Sequence, residues 1–527
     1  MNPTPSILAI GLEAADPVLL EKWSAAGELP NLGRLMSEGS YRKLHSPTAI
    51  SSGATWPSIT TGRSPAHHGM AFYHRQLRTG TYRIVKKYAD EVGGEFYWKQ
   101  LSAAGERVAV FDIPVIHPLP EFNGVQIIGW GAEGLNWPQG SEPANVFPEI
   151  VQRFGRHPLE GWYQNEIEDL REWKALLDKL REGTRTRTRI ASWLLQRQPW
   201  DHFLVGYAES HWVGHYFSHL LDEANPRYDA EVARVCGGAI LDIYREIDRG
   251  IGELTRLCPD STTLVFSNTG MGMNYSGLHL VPEILQRLGM HDTRSRSGTN
   301  SARGAKNRWG AYAIKTVESL VSAKNIERVR KLVPYKLWDH YTRIFLNLGN
   351  GWRHSKAFTV PSDFTGAIRI NLKGREPHGT VTPGEDYDRL CEQLTAEFLA
   401  LVNTATGQRA VKEVIKLRER YQGPNSEELP DLLVQWEGTQ PIDSLSSPSI
   451  GTVTGLLPDK RSGAHQTHGF LIASGNRIRA TAGLNVADIV DIAPTILHLH
   501  GVSIPECMEG RVLTDMLEIA PAAAVAL

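Results

Sequence analysis

Two neighbouring segments decide the fold: "SILAIGL", residues 6–12, and "PVLLEKWSAAG", residues 17–27. The first is a short apolar run and reads as a buried strand. The second reads as a helix closed by Gly27. The same alternation recurs downstream. "VAVFDIP" (108–114), "VQIIGW" (125–130), "HFLVGYA" (202–208) and "TTLVFSNTG" (262–270) read as further strands. Between them lie amphipathic stretches such as "EVARVCGGAILDIYREIDRGIGELTRL" (231–257). Strands alternating with helices predict an α/β fold with a central, mostly parallel sheet sandwiched by helices.

Working outward, the chain divides into three. Residues 1–290 form the first part of the core. Residues 291–360 change character: "TRSRSGTNSARGAKNRWG" (293–310) is basic and rich in Gly and Ser, and "IERVRKLVPYKLW" (326–338) reads as a basic amphipathic helix. This stretch is expected to be a smaller inserted cap. Residues 361–527 return to the core through "AIRINLKGREPHG" (367–379), a helix near 384–403, "LPDLLVQWE" (429–437), "GFLIASG" (469–475) and a helix over 486–502. There are no internal repeats.

At 527 residues the chain is too long for one small core. Its 41% hydrophobic and 22% charged residues are ordinary for a globular protein. A net charge of -2 gives no argument for nucleic acid or membrane as partner. The four cysteines show no CxxC spacing, which speaks against a disulfide framework or a Cys-based zinc site and fits a reducing compartment. The first residues enter the strand almost at once, with no signal-peptide pattern, and no stretch approaches the roughly 20 apolar residues of a membrane span. The expected address is the cytoplasm.

Ligands of α/β sheets gather at the carboxyl ends of strands, so polar residues there are the candidates. Glu13 follows the first strand. "ESHWVGHYFSH" (209–219) follows the fourth and places His211, His215 and His219 four apart, as metal-binding pairs on one helix face are. Asn268 and Thr269 follow "TTLVFS", and His465 and His468 precede "GFLIASG". In "SSGATWPSITTGRSPAHHG" (51–69), Ser51 or Ser52 suits the cap of a helix through Trp56–Thr61. The same position also suits a nucleophile facing an anion.

Together these segments resemble the alkaline phosphatase superfamily, in its type I phosphodiesterase/nucleotide pyrophosphatase-like branch. The resemblance runs nearly end to end, through "ILAIGLEAADP" (7–17), "GELPNLGRLMSEGS" (27–40), residues 51–69, "INLKGREPHGTVTPGEDY" (370–387), "SGAHQTHGFLIASG" (462–475) and "VDIAPTILHLHGVSIPECMEGRVL" (490–513). It implies a two-metal hydrolase of phosphate mono- or diesters, or of related sulfate and phosphonate esters, with a Ser or Thr nucleophile. The nucleophile's place falls on Ser52, ten residues before Gly62. The metal-binding Asp at the end of the first strand is Glu13 here. The D-x-x-x-H pair is His211 and His215, and the C-terminal His is His465. The Ser-Asp-His-Gly motif is "SNTG", with Asn268 and Thr269 in place of two ligands.

This departure predicts one divalent ion rather than two, held by His211, His215 and His465 with Glu13 within reach. Three imidazoles suit zinc first, with iron or manganese as alternatives. The leading expectation is a metal-dependent hydrolase with Ser52 as nucleophile, acting on a small anionic phosphate ester steered by Arg294, Arg296, Arg303, Lys306 and Arg308. A His-ligated metalloenzyme with non-hydrolytic chemistry, and a non-catalytic ligand-binding relative, are the alternatives.

Overall fold

A computed structural model describes residues 5–72, 76–131, 139–160, 167, 169–291, 351–458, 461–481 and 483–518. Most of the cap expected at 291–360, with its five cations and the basic helix 326–338, lies outside the described residues.

Among the described residues nine strands form the central sheet, in the order Ala487–Asp488, Ser40–His45, His468–Ser474, Thr262–Ser267, Ile7–Leu12, His202–Tyr207, Val108–Phe111, Gly124–Ile128 and Gly140–Glu142. The central pairs are parallel. His468–Ser474 runs antiparallel to both neighbours, and the far edge strand Gly140–Glu142 is antiparallel too.

The strand Ile7–Leu12 is apolar throughout because both faces are covered. Leu8, Ile10 and Leu12 enter one hydrophobic cluster, with Trp23 and Leu35 of the helices Pro17–Ala25 and Pro30–Glu38 and with residues of the helices Leu170–Arg197 and Ala239–Leu257. Ile7 and Ala9 enter the other, with Trp56, Tyr97 and Ile496 of helices on the opposite face. Successive side chains of a strand point to opposite faces, so a sheet between two helical layers needs apolar residues at every position. Asp16 starts the first helix by accepting from the backbone N–H groups of Val18 and Leu19, each at 2.9 Å.

The structure differs from the sequence expectation in three places. The helix read over 486–502 spans only Ile492–His500, because Ala487–Asp488 pairs as the edge strand of the central sheet and a short turn, Ile489–Asp491, follows it. The amphipathic stretch 231–257 is two helices, Ala230–Cys236 and Ala239–Leu257, separated at the Gly237–Gly238 pair. Glycine is a poor helix former, and two in succession let the chain turn. The strand Leu432–Trp436, read with the core, belongs instead to a four-stranded sheet with Ala357–Thr359, Gly366–Ile370 and Val411–Lys416. That sheet and a second of four short strands share a cluster built on Leu394, Val434 and Leu445. Among the described residues no helix is long and apolar enough to cross a membrane. All four cysteines are free thiols, and only Cys507 is exposed.

Candidate metal centre and serine loop

The carboxyl ends of three adjacent parallel strands bring Glu13, the helix Glu209–Phe217 and Asn268 to one edge of the sheet. One helical turn separates His211 from His215, and their ring centroids lie 4.4 Å apart. His465 arrives from a different direction. The short strand Gly270–Met273, just past Asn268 and Thr269, pairs antiparallel with Gly463–Gln466 and sets His465 opposite Met271. This strand pair lies tight against the helix. A methyl group on Gly463 would stand 2.2 Å from the Gly214 carbonyl oxygen, and one on Gly214 would stand 2.6 Å from the Met271 side chain. Two glycines therefore set how closely His465 approaches the helical pair.

The three imidazoles converge: one ligand atom of each lies within 4.8 Å of the others. His211 Nδ1, His215 Nε2 and His465 Nδ1 are buried and have no hydrogen-bond partner. Burial, reinforced by neighbouring rings and by Arg461, pushes His211 and His215 well below the ordinary histidine range. Burial and Arg461 hold His465 down to about 3. Neutral rings with orphaned, inward nitrogens are what a divalent ion takes, and burying them unpaired is otherwise costly. The residues fit a three-histidine metal site.

His219, four residues beyond His215, does not join them. The helix ends at Phe217, and the His219 ring meets the Ser462 hydroxyl at 3.0 Å. His468 opens the strand beside His45 and is exposed. Glu13, expected among the metal ligands, is also absent from the converging group. Its carboxylate accepts from the Trp56 indole N–H and from the Asn268 side-chain amide, the latter at 3.1 Å. Gly11 makes this possible, because a side chain there would stand 2.5 Å from the Trp56 ring. Asn268 also accepts from the Ala14 N–H at 2.9 Å and donates to the Thr55 hydroxyl at 2.8 Å. The Thr269 hydroxyl donates to the Gln466 carbonyl. Glu13, Asn268, Thr55 and Trp56 are thus linked by hydrogen bonds within the chain, and Thr269 is tied separately to the strand Gly463–Gln466.

Ser51 and Ser52 open a short helical turn, Ser52–Ala54, that leads into the helix Thr55–Thr61. Ser51 is the cap, its hydroxyl oxygen accepting from the Gly53 N–H at 3.1 Å. The Ser52 hydroxyl donates to Asp363 Oδ2 at 2.7 Å, and the Ser52 backbone N–H donates to the same oxygen at 2.7 Å. Asp363 was not legible as a site residue: it stands in a Pro-Ser-Asp loop, 311 positions from Ser52 in the chain. The loop that joins the strands Ala357–Thr359 and Gly366–Ile370 of the smaller sheet carries it there. Its charge also reaches His211, favouring the protonated ring against the stronger effect of burial.

Behind the helix Glu209–Phe217 lies a second feature that sequence reasoning missed. Arg187, fully buried, donates to Glu209 at 3.0 Å and to Asp112 at 2.6 Å, while His157 meets Glu209 at 3.0 Å. Burial pushes the Glu209 carboxyl up, but the Arg187 charge and the His157 contact outweigh it and hold it at about 2. This network pins the start of the helix that carries His211.

The sequence profile of the type I phosphodiesterase/nucleotide pyrophosphatase family matches residues 7–471, and the chain belongs to that family. No curated protein sequence matches it. Among solved structures, it is similar to phosphonoacetate hydrolase from Sinorhizobium meliloti 1021, with 14% identity over 93% of this chain and 94% of that one and a TM-score of 0.50. Murine ectonucleotide pyrophosphatase/phosphodiesterase 5 is 11% identical over 98% of this chain and 100% of its own, with a TM-score of 0.48. The alkaline phosphatase PafA is 14% identical over 98% of this chain and 100% of its own, with a TM-score of 0.47.

Proposed function

We propose that this chain is a metal-dependent hydrolase of phosphate esters or diesters that works with one divalent ion and Ser52 as nucleophile. The observation that carries the reading is the convergence of three buried, unpartnered imidazole nitrogens from His211, His215 and His465. Family membership supports ester hydrolysis as the reaction class. No carboxylate joins the cluster among the described residues, which favours zinc over iron. The bound ion would supply electrophilic stabilisation of phosphoryl oxygens.

The chain's own residues do the rest. Ser52 presents its hydroxyl at the start of the helical segment, held by one strong hydrogen bond. Trp56 and Asn268 hold Glu13 away from the cluster. The Arg461 guanidinium acts on all three imidazoles, so it adds positive charge where an anionic substrate is received. The free thiols support a reducing address, and the cytoplasm fits it.

The test is metal analysis of protein purified without chelators, joined to turnover of bis(4-nitrophenyl) phosphate by the wild type and by Ser52→Ala. We expect one equivalent of metal per chain, and activity that Ser52→Ala abolishes while leaving metal content and folding intact. Wild-type activity that persists in Ser52→Ala would remove the serine from the reaction.

A further inference from the structure

We infer that Asp363 is the general base that takes the proton of Ser52. This rests on the reading of Ser52 as nucleophile given above. In a two-ion site the second metal lowers the pKa of the nucleophilic hydroxyl. Here Asn268 and Thr269 are engaged in hydrogen bonds within the chain, so the proton needs another acceptor. Asp363 Oδ2 stands 2.7 Å from Ser52 Oγ, the geometry of an activated nucleophile and its base.

The loop is tied where it must be for this role. The Thr365 hydroxyl donates to the carbonyl of Ala49, three residues before Ser52, at 2.8 Å. Ser362 and Thr365 hydroxyls meet across the turn at 2.8 Å. The Ser51 hydroxyl and the Ser52 N–H also donate to Oδ2, at 3.2 and 2.7 Å. These contacts orient the carboxylate towards Oγ.

In the first half-reaction the Ser52 O–H bond breaks and its proton passes to Asp363 Oδ2. The Oγ electron pair forms the new O–P bond, and the bond from phosphorus to the departing oxygen breaks, releasing an aryloxide or alkoxide. In the second half-reaction water attacks phosphorus. Ser52 Oγ leaves with the proton returned from Asp363, and the proton lost by water goes to solvent, where it balances the released oxyanion. The net change is ester plus water to phosphate product plus alcohol.

The experiment uses the full chain loaded with zinc and bis(4-nitrophenyl) phosphate as substrate, comparing the wild type with Ser52→Ala, Asp363→Asn and Asp363→Ala. Melting temperature and zinc content are recorded for each. We expect Asp363→Asn to lower kcat by about 10²–10⁴-fold with KM and zinc content little changed. Asp363→Ala should be equally slow and should regain part of its rate with added formate, which a structural tether would not produce. If Asp363→Asn unfolds, the formate response of Asp363→Ala decides alone. Full kcat in an Asp363 variant, with Ser52→Ala inactive, overturns the base and leaves the serine reading standing. A higher kcat/KM in Asp363→Asn also overturns it, by showing the carboxylate as an occupant of the seat a substrate anion must take. Turnover that survives Ser52→Ala, or no turnover in the wild type, fells the parent reading and the base with it.

Discussion

The Nδ1 of His215 lies 2.7 Å from the carbonyl oxygen of Gly463. A carbonyl only accepts, so Nδ1 carries the proton and the Nε2 lone pair faces the cluster. The hydrogen bond thus selects the tautomer that can ligate, as the outer partners of metal-bound histidines do.

His215→Ala should therefore lose most of the bound metal, read as metal per chain after dialysis. Full metal content in that variant would exclude the shared site. Gly463→Ala, which forces a methyl group against Gly214, should weaken metal affinity by about 10–100-fold, the usual cost of disturbing an outer partner.

Asn268 stands where a second carboxylate would sit beside Glu13. Asn268→Asp removes the two N–H donations to Glu13 and Thr55 and faces one carboxylate with another. With chelator present, it should destabilise the protein by about 1–3 kcal/mol, the cost of leaving buried polar groups unmatched. Asn268→Asp combined with Thr269→His should bind additional metal and regain stability when metal is added. Thermal melts with and without chelator, alongside metal analysis, measure both effects. Unchanged stoichiometry in the double variant would show that the rest of the second site is gone.

Arg187 neutralises two buried carboxylates. Arg187→Met should cost about 3–5 kcal/mol, because it strands Glu209 and Asp112 without their cation. Denaturant unfolding measures this. Since Glu209 begins the helix of His211 and His215, metal affinity should fall in the same variant.

His68 lies against the helix Thr55–Thr61. Its Nδ1 accepts from the Met70 N–H at 3.1 Å, so its Nε2–H donates to Ser58 at 3.0 Å, and the ring is built in neutral. Burial, with the Arg63 and Lys87 charges, lowers it from 6.5 to about 3. The unfolded chain then takes up a proton that the folded one refuses. Stability on this account is complete above pH 6.5 and declines below it, by about 1.4 kcal/mol per pH unit, down to pH 3. Unfolding curves in chelator at pH 7.5, 6 and 5, compared with His68→Gln, should show a shallower decline in the variant. Equal slopes would exclude this ring as a source.

The sequence alone determined the layered architecture. "SILAIGL" admits no polar face, and a strand without one must lie between two helical layers. It also determined that His211 and His215 share a helix face, since a four-residue spacing is a local property of the helix. What periodicity cannot carry is where distant segments meet. His465 instead of His219 completes the cluster because the helix stops at Phe217 and the pairing of Gly270–Met273 with Gly463–Gln466 sets the register. Glu13 turns from the cluster because Gly11 leaves room for Trp56 to reach it. Asp363 meets Ser52 only through the loop that Thr365 fastens to Ala49. The resemblance of residues 462–475 already put His465 with the helical pair. The turning away of Glu13 and the meeting of Asp363 with Ser52 are long-range contacts chosen by packing and hydrogen bonding over the whole chain, and local residue patterns hold no record of them.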